Sequence, residues 1–325
     1  MNTMFSDSST PRIATLTLNP AIDQTVAIPN FRAGTVNRVG WEQSDPGGKG
    51  VNVASFLAAF GFSVTVSGFL GHENAELFQT FFAHQGLCDR FLLIPGKTRV
   101  NVKIIDDAQE QVTDINFPGP SPTPEEITAL HQRVDELAID HDWFIVSGSL
   151  PASVSPNLYR DLTQRLKSQG KTVILDASGD SFRQALTAIP FAIKPNIDEL
   201  QEYLGVSLRS EIEVLQAARG LVAEGIECVV VSMGAGGAIF VEADSAVWAR
   251  PPQVNVISTV GAGDAMVAGL VAGKLRGFAL ADCARLATAF SIATLSQVGP
   301  RLPLPDRVEA LMEQVQIEDL HSARF

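Results

Sequence analysis

Three stretches of the chain pair glycines with charged side chains in a way that could act on phosphate. Ser258–Leu270, STVGAGDAMVAGL, sets Gly261, Ala262 and Gly263 ahead of a single carboxylate, Asp264, and then a run of small apolar residues that predicts a buried helix. A glycine turn at a helix start offers backbone N–H groups and the positive end of the helix dipole to an anion. A carboxylate beside it can accept a hydroxyl proton. Asp near a helix start is also an ordinary stabilising choice, worth about 0.3–1 kcal/mol, so the stretch alone leaves both roles open. Asp45–Ala54, DPGGKGVNVA, reads as a second glycine-rich turn opening a helix, with Lys49 supplying positive charge and Asn52 a polar side chain on the first turn. Lys194–Glu199, KPNIDE, ends a strand and opens another helix, and Asn196 and Glu199 have the spacing of a capping box. Gathered at one edge, three such helix starts would make an anion site within an acidic protein.

Other phosphate and nucleotide motifs fail. The GKT triplets at Gly96 and Gly170 have Phe91 and Arg165 where a P-loop needs glycine. From Gly234 and Gly261, the last glycine of a dinucleotide fingerprint falls on Ile239 and Met266, which argues against a nicotinamide enzyme.

The elements that must carry these stretches alternate along nearly the whole chain. Apolar runs at Ile13–Leu18, Ser63–Phe69, Trp143–Ser149, Thr172–Ala177, Phe191–Pro195 and Cys228–Met233 predict parallel strands covered on both faces. Helical stretches between them end in Gly86, Gly170 and Gly225. The expected fold is α/β, a doubly wound, mostly parallel sheet with helices on both faces, whose ligands bind beyond the C-terminal strand ends. Two segments break the rhythm, Asp23–Gln43 and Thr98–Phe117, each reading as two short strands around a turn. In the second, Val100, Val102 and Ile104 alternate with Arg99, Asn101 and Lys103, giving an apolar and a polar face. A small β-sheet lid with one face toward a ligand and one toward a partner subunit would use both; a plain amphipathic hairpin fits the pattern equally.

Composition narrows the class. With 325 residues, 46% of them hydrophobic, the chain can bury a large core, read as a single domain over 1–325 with residues 1–11 as a disordered tail. The net charge of −12 argues against nucleic acid or an anionic membrane as partner. No apolar run reaches membrane-span length, and Cys88, Cys228 and Cys283 match neither a metal motif nor a disulfide framework, as expected of a cytoplasmic protein.

DPGGKGVNVA and STVGAGDAMVAG, separated in order by SGSLP, KPNIDEL and SMGAGG, resemble the two signature regions of the ribokinase-like (PfkB) carbohydrate kinases, over nearly the whole chain. LNPAID, TVNRV, GFLG, TRVNVK and TDINFPG are most similar to its sugar-phosphate branch. The resemblance implies ATP-dependent phosphoryl transfer, with fructose 1-phosphate phosphorylated at its C6 hydroxyl to fructose 1,6-bisphosphate. Tagatose 6-phosphate or fructose 6-phosphate is the alternative substrate, and a silent sugar-phosphate sensor the alternative outside enzymes. It implies Asp264 as base, with the N–H groups of Gly261, Ala262 and Gly263 stabilising the transferring phosphoryl group. Lys194, Asn196, Glu199, Ser232, Gly234 and Gly237 become ATP-binding residues, with Asn196 and Glu199 holding Mg²⁺ largely through water. Asp23, Gly48 and Asn52 fall in the sugar site, and Lys49, Arg99 and Arg38 are the candidates for the substrate phosphate, Asn101 and Lys103 assisting from the Arg99 strand. Ser149 is either a sugar-phosphate contact or a turn hydroxyl. Ser258 stands where many relatives carry an Asp associated with monovalent cations. A homodimer joined through the lid is the expected assembly.

Overall fold

Apolar runs bounded by turn formers become strands, and the intervening amphipathic stretches become the helices that cover them. The structure, a computed structural model, describes residues 12–256, 258–297 and 301–320, so the expected tail over 1–11 lies outside the described residues. The chain opens with β1 (Ile13–Thr17), β2 (Ala21–Ala27) and β3 (Trp41–Gly47), then α1 (Lys49–Ala59), β4 (Val64–Gly71) and α2 (Ala75–Gln85). Short strands β5 (Cys88–Asp89) and β6 (Leu92–Ile94) precede the hairpin of β7 (Arg99–Asp106) and β8 (Gln111–Ile115). Regular alternation follows with α3 (Pro124–Ala138), β9 (Trp143–Ser147), α4 (Leu158–Ser168), β10 (Thr172–Asp176), α5 (Gly179–Leu186), β11 (Ala192–Ile193) and α6 (Ile197–Leu204). Helix α7 (Glu211–Ala223) leads to β12 (Cys228–Ser232), β13 (Ala238–Glu242) and β14 (Ser245–Arg250). The remainder is α8 (Ala262–Leu275), α9 (Leu280–Leu295), α10 (Pro305–Met312) and β15 (Gln316–Asp319).

The main sheet runs β15-β14-β13-β12-β11-β10-β9-β1-β4-β5, with β6 also paired to β4. From β12 to β5 the pairing is parallel; β13, β14 and β15 continue it antiparallel, an extension not expected from the sequence. Alternating side chains feed two cores. Ile13 packs with Phe56, Phe78, Leu270 and Phe290 on one face, while Ala14 and Leu16 pack with Val134, Leu162, Phe182 and Leu215 on the other. Register matters for the site, because Thr17, Ser147 and Asp176 pair in a row at the C-terminal ends of β1, β9 and β10.

The two rhythm-breaking segments merge into one smaller sheet, β3-β2-β7-β8, through parallel pairing of β2 with β7. Strand β3 also corrects the reading of DPGG as a loop. Asp45, Pro46 and Gly47 pair with Asp23, Ile22 and Ala21, and only Gly48, at φ 117°, turns the chain into α1. On one face of this sheet Val26, Ile28 and Ile104 pack with Phe31 and Val102. The register puts Asp23, Asn101, Lys103 and Asp45 on the other.

Helix α8 is buried almost throughout because small residues let α9 approach it. A Cβ on Gly269 would stand 2.6 Å from Ala287 Cα, and one on Gly273 would stand 3.0 Å from Cys283 Sγ. Gly269→Val should therefore cost about 1–3 kcal/mol or more by overpacking. A lower urea midpoint at unchanged slope is the expected result; an unchanged midpoint would show that the helices have room to part.

Candidate active site

Asp264 does not cap its own helix. Gly261, in the left-handed conformation at φ 80°, is the N-cap of α8 without a side-chain bond, and Asp264 follows at the third helical position. Its Oδ2 accepts a 2.7 Å hydrogen bond from Asn52 Nδ2 on α1, and the side chain is buried. Burial first, then the nearby Asp176 carboxylate, pushes Asp264 up to about 6, against the opposing pull of Lys49, Asn52 and Lys194. A carboxyl titrating there is ionised at neutral pH yet basic enough to take a proton.

Asp176 was not singled out in the sequence. It closes the apolar run of β10, is 1% exposed, and lies between two ammonium groups, with Lys49 Nζ at 3.1 Å and Lys194 Nζ at 3.4 Å from its Oδ1. Burial works against a charged Lys49, but Asp176, Asp264 and Glu199 outweigh it and hold the ammonium above its ordinary value. The available signal was its place: a carboxylate at the C-terminal end of a parallel strand, where such sheets bind ligands. Beside it, Ser147 Oγ, Thr17 Oγ1 and Asp176 Oδ2 are buried with no hydrogen-bond partner among the described residues, as is Asn52 Oδ1. Thr17 Oγ1 and Ser147 Oγ face Gly50 of α1, where a Cβ would stand 2.3 and 3.1 Å from them.

The KPNIDE stretch forms the capping box its spacing predicted. Asn196 Oδ1 accepts from the Glu199 N–H, and Glu199 Oε2 accepts from the Asn196 N–H, each at 2.8 Å. These bonds leave Glu199 Oε1 without a role in the cap. Among the described residues no group of three His, Cys, Asp or Glu could enclose a metal. This donor set suits a cation that keeps most of its water and takes phosphate oxygens, as Mg²⁺ does.

One cavity of about 900 Å³ gathers much of the predicted set: Lys49, Lys194, Asn196, Glu199, Ser232, Gly234, Gly237 and the turn from Gly261 to Asp264. All three predicted helix starts therefore meet. Pro251, Pro252, Val254 and Ile292 line the same space and were not foreseen.

The sugar-site candidates sit on the neighbouring small sheet and its contacts. Asn101 Nδ2 donates to Asp23 Oδ1 at 3.2 Å, and burial raises the Asp23 carboxyl above its ordinary range. Gly48 lies at the turn between β3 and α1. Arg99 and Ser149 meet around Asn19: the guanidinium donates to the Asn19, Pro20 and Phe117 carbonyls, and Asn19 Nδ2 donates to Ser149 Oγ. These contacts use part of the Arg99 fork. Lys103 pairs with Asp114 at 2.8 Å, and Arg38 is exposed in the connection between β2 and β3. The structure thus joins Asp23 to Asn101, and Arg99 to Ser149 through Asn19, and shows no contact joining Arg38 to them.

Comparison with known proteins adds three findings. A profile of the pfkB family of carbohydrate kinases matches residues 16–307. The chain is 50% identical over 312 residues to the 1-phosphofructokinase of Rhodobacter capsulatus, covering 96% of this chain and 99% of that one. It is 40% identical to the 1-phosphofructokinase of Escherichia coli K12, covering 94% and 98%. Among solved structures, phosphofructokinase-2 from Escherichia coli in complex with substrates and products superposes with a TM-score of 0.86 at 29% identity, over 93% of this chain and 98% of that one.

The raised Asp264 carboxyl makes a prediction about stability. Its neutral form is favoured in the folded state, so the associated stabilisation is full below the ordinary carboxylate range and is lost as pH rises through about 6. Asp264→Asn is neutral throughout and escapes that loss. Its Tm at pH 8 should equal or exceed that of the unaltered protein; a Tm several degrees lower would contradict the assigned environment.

Proposed function

The chain belongs to the pfkB family of carbohydrate kinases, and from that premise we propose that it transfers the γ-phosphoryl group of ATP to the C6 hydroxyl of fructose 1-phosphate, yielding fructose 1,6-bisphosphate and ADP. The observation that carries the reading is the buried Asp264, pushed up to about 6, on the wall of the cavity that also holds Lys49 and Lys194. The relatives at 40–50% identity, named 1-phosphofructokinase, support the choice of sugar.

Asp264 takes the C6 hydroxyl proton as the oxygen attacks the γ-phosphorus, and the bond from that phosphorus to the bridging oxygen of ADP breaks. Little covalent chemistry falls to the protein in such transfers, and positioning with charge stabilisation dominates. The N–H groups of Gly261 and Gly263, with that of Ala262 released from its long 3.4 Å turn bond to Thr259 O, and backed by the α8 dipole, face the charge on the transferring group. Asn52 fixes the orientation of the base through its 2.7 Å bond, and its buried Oδ1 is left to accept from a sugar hydroxyl. Lys49 and Lys194, held together by Asp176, balance the negative charge that two phosphorylated substrates bring together. Asn196 and Glu199 would hold Mg²⁺ largely through water, and the ion would supply positive charge to the ATP phosphates. Ser232, Gly234 and Gly237 line the nucleotide end of the cavity.

Asp23 and Asn101 form the floor for the sugar hydroxyls, with Gly48 beside them. Arg99 and Ser149, on either side of Asn19, receive the substrate's own phosphate, Lys103 assisting from the same strand. Closure of the small sheet over the sugar excludes water from the transfer. The opposite face of that sheet carries Val102 and the exposed Ile115 in register, which supports a homodimer joined there. Consumption of ATP and a sugar phosphate fits a cytoplasmic enzyme, and no helix among the described residues is long and apolar enough to cross a membrane.

A kinetic comparison of fructose 1-phosphate, fructose 6-phosphate and tagatose 6-phosphate tests the proposal. The highest kcat/KM should fall on fructose 1-phosphate, and Asp264→Asn should lower kcat by about 10²–10⁴-fold, the range of acid–base catalysis, with ADP binding retained. Preference for another sugar phosphate would move the substrate assignment. Absence of ADP formation with all three, despite sugar-phosphate binding, would indicate a sensor.

A further inference from the structure

The segment Gly234–Gly237 leaves β12 at the nucleotide end of the cavity and returns as β13, and its three glycines give it little stiffness of its own. Its internal bonds are short-range: Gly237 N–H reaches Gly234 O, and Met233 N–H reaches Gly237 O. A side chain from outside the loop closes the structure. Trp248 of β14, paired with Ile239, donates its indole N–H to Gly236 O at 2.8 Å. The indole is only 6% exposed, so water competes poorly for that carbonyl. The next residue along β14 comes close as well, since a Cβ on Gly237 would stand 2.0 Å from Ala249 O.

The ring is itself held from behind. Arg250, two residues on and on the same face of β14, lies 3.4 Å over the Trp248 ring centroid. Its Nε and one terminal N–H group both donate to Glu318 Oε2 of β15, the edge strand that pairs Glu318 with Trp248. A continuous line of contacts therefore runs from the edge of the sheet, through Glu318, Arg250 and Trp248, to the backbone of the glycine loop.

We infer that Trp248 is a positioning residue for the nucleotide, its indole N–H fixing the Gly234–Gly237 loop in the conformation that receives ATP, with Arg250 and Glu318 holding the indole in place. The inference rests on the reading of this loop as the nucleotide end of the site. Without the N–H, Gly236 O loses its partner and the loop samples other conformations, so ATP meets a competent loop only part of the time and its apparent affinity falls by that fraction. The sugar site, on β2, β7 and α1, does not share these contacts.

Trp248→Phe tests this, because it keeps an aromatic ring under Arg250 and removes only the donor. The expected result is a KM for ATP raised about threefold to tenfold, the loss of one neutral hydrogen bond, with kcat and the KM for the sugar phosphate within about twofold. Arg250→Met, which keeps the donor but frees the ring, should move the same KM in the same direction by less, and it carries the test if Trp248→Phe fails to fold. Gly234→Ala is the control, since Gly234 has φ 57° with open space around it, so the change strains the loop itself. A raised ATP KM in Gly234→Ala with none in Trp248→Phe would overturn the inference and leave the loop assignment standing. No change in either would overturn both. Equal rises in the two KM values in Trp248→Phe would show a general structural role and also overturn it.

Discussion

Burial of Asp176 between Lys49 and Lys194 is the constraint on which the site depends. A lone carboxylate at 1% exposure would be costly to ionise, and the buried Lys194 ammonium no less so, while Lys49 is partly exposed. Brought within 3.1 and 3.4 Å, each makes the others tolerable. The arrangement has a second effect, because Asp176 is also a like charge for Asp264 and helps to keep that carboxyl near 6. One buried group thus holds the cations that phosphate needs and tunes the base that the transfer needs.

The fold supplies this constellation from distant parts of the chain. Parallel register aligns the ends of β1, β9 and β10 and fixes Asp176 beside Ser147 and Thr17. Lys49 arrives at the start of α1, Lys194 after β11, and Asp264 on the first turn of α8. Close packing of α8 on α9 through Gly269 and Gly273 leaves α8 little freedom to shift. The small sheet carries Asp23 and Asn101 on the face opposite Val26 and Ile104.

Much of this was legible in the sequence. Continuous apolar runs identified six of the parallel strands, because strands covered on both faces need no polar alternation. The glycine–helix pattern singled out Asp264, and capping-box spacing fixed the geometry of Asn196 and Glu199. Other features lay beyond local pattern. Pro46 and Gly47 are poor strand formers, so the end of β3 looked like a turn until pairing with β2 overrode propensity. Asp176 fell within the strand run Thr172–Ala177, and its pairing with Lys49 spans 127 positions that no local pattern connects. The Asn52–Asp264 bond spans 212 positions and left no local trace. Arg99, read as a free phosphate fork, spends several donors on backbone carbonyls that its sequence position did not disclose.

The central claim is that Asp264 is the base and that its environment sets its proton affinity. The pH dependence of kcat/KM for fructose 1-phosphate, measured for the unaltered enzyme and for Asp176→Asn, tests it most directly. Activity should rise with pH as Asp264 ionises, with an acid limb near 6, and removal of the Asp176 charge should move that limb to lower pH whatever happens to the height of the profile. A limb that stays in place after Asp176→Asn, or a profile flat from pH 5 to 8, would contradict the account.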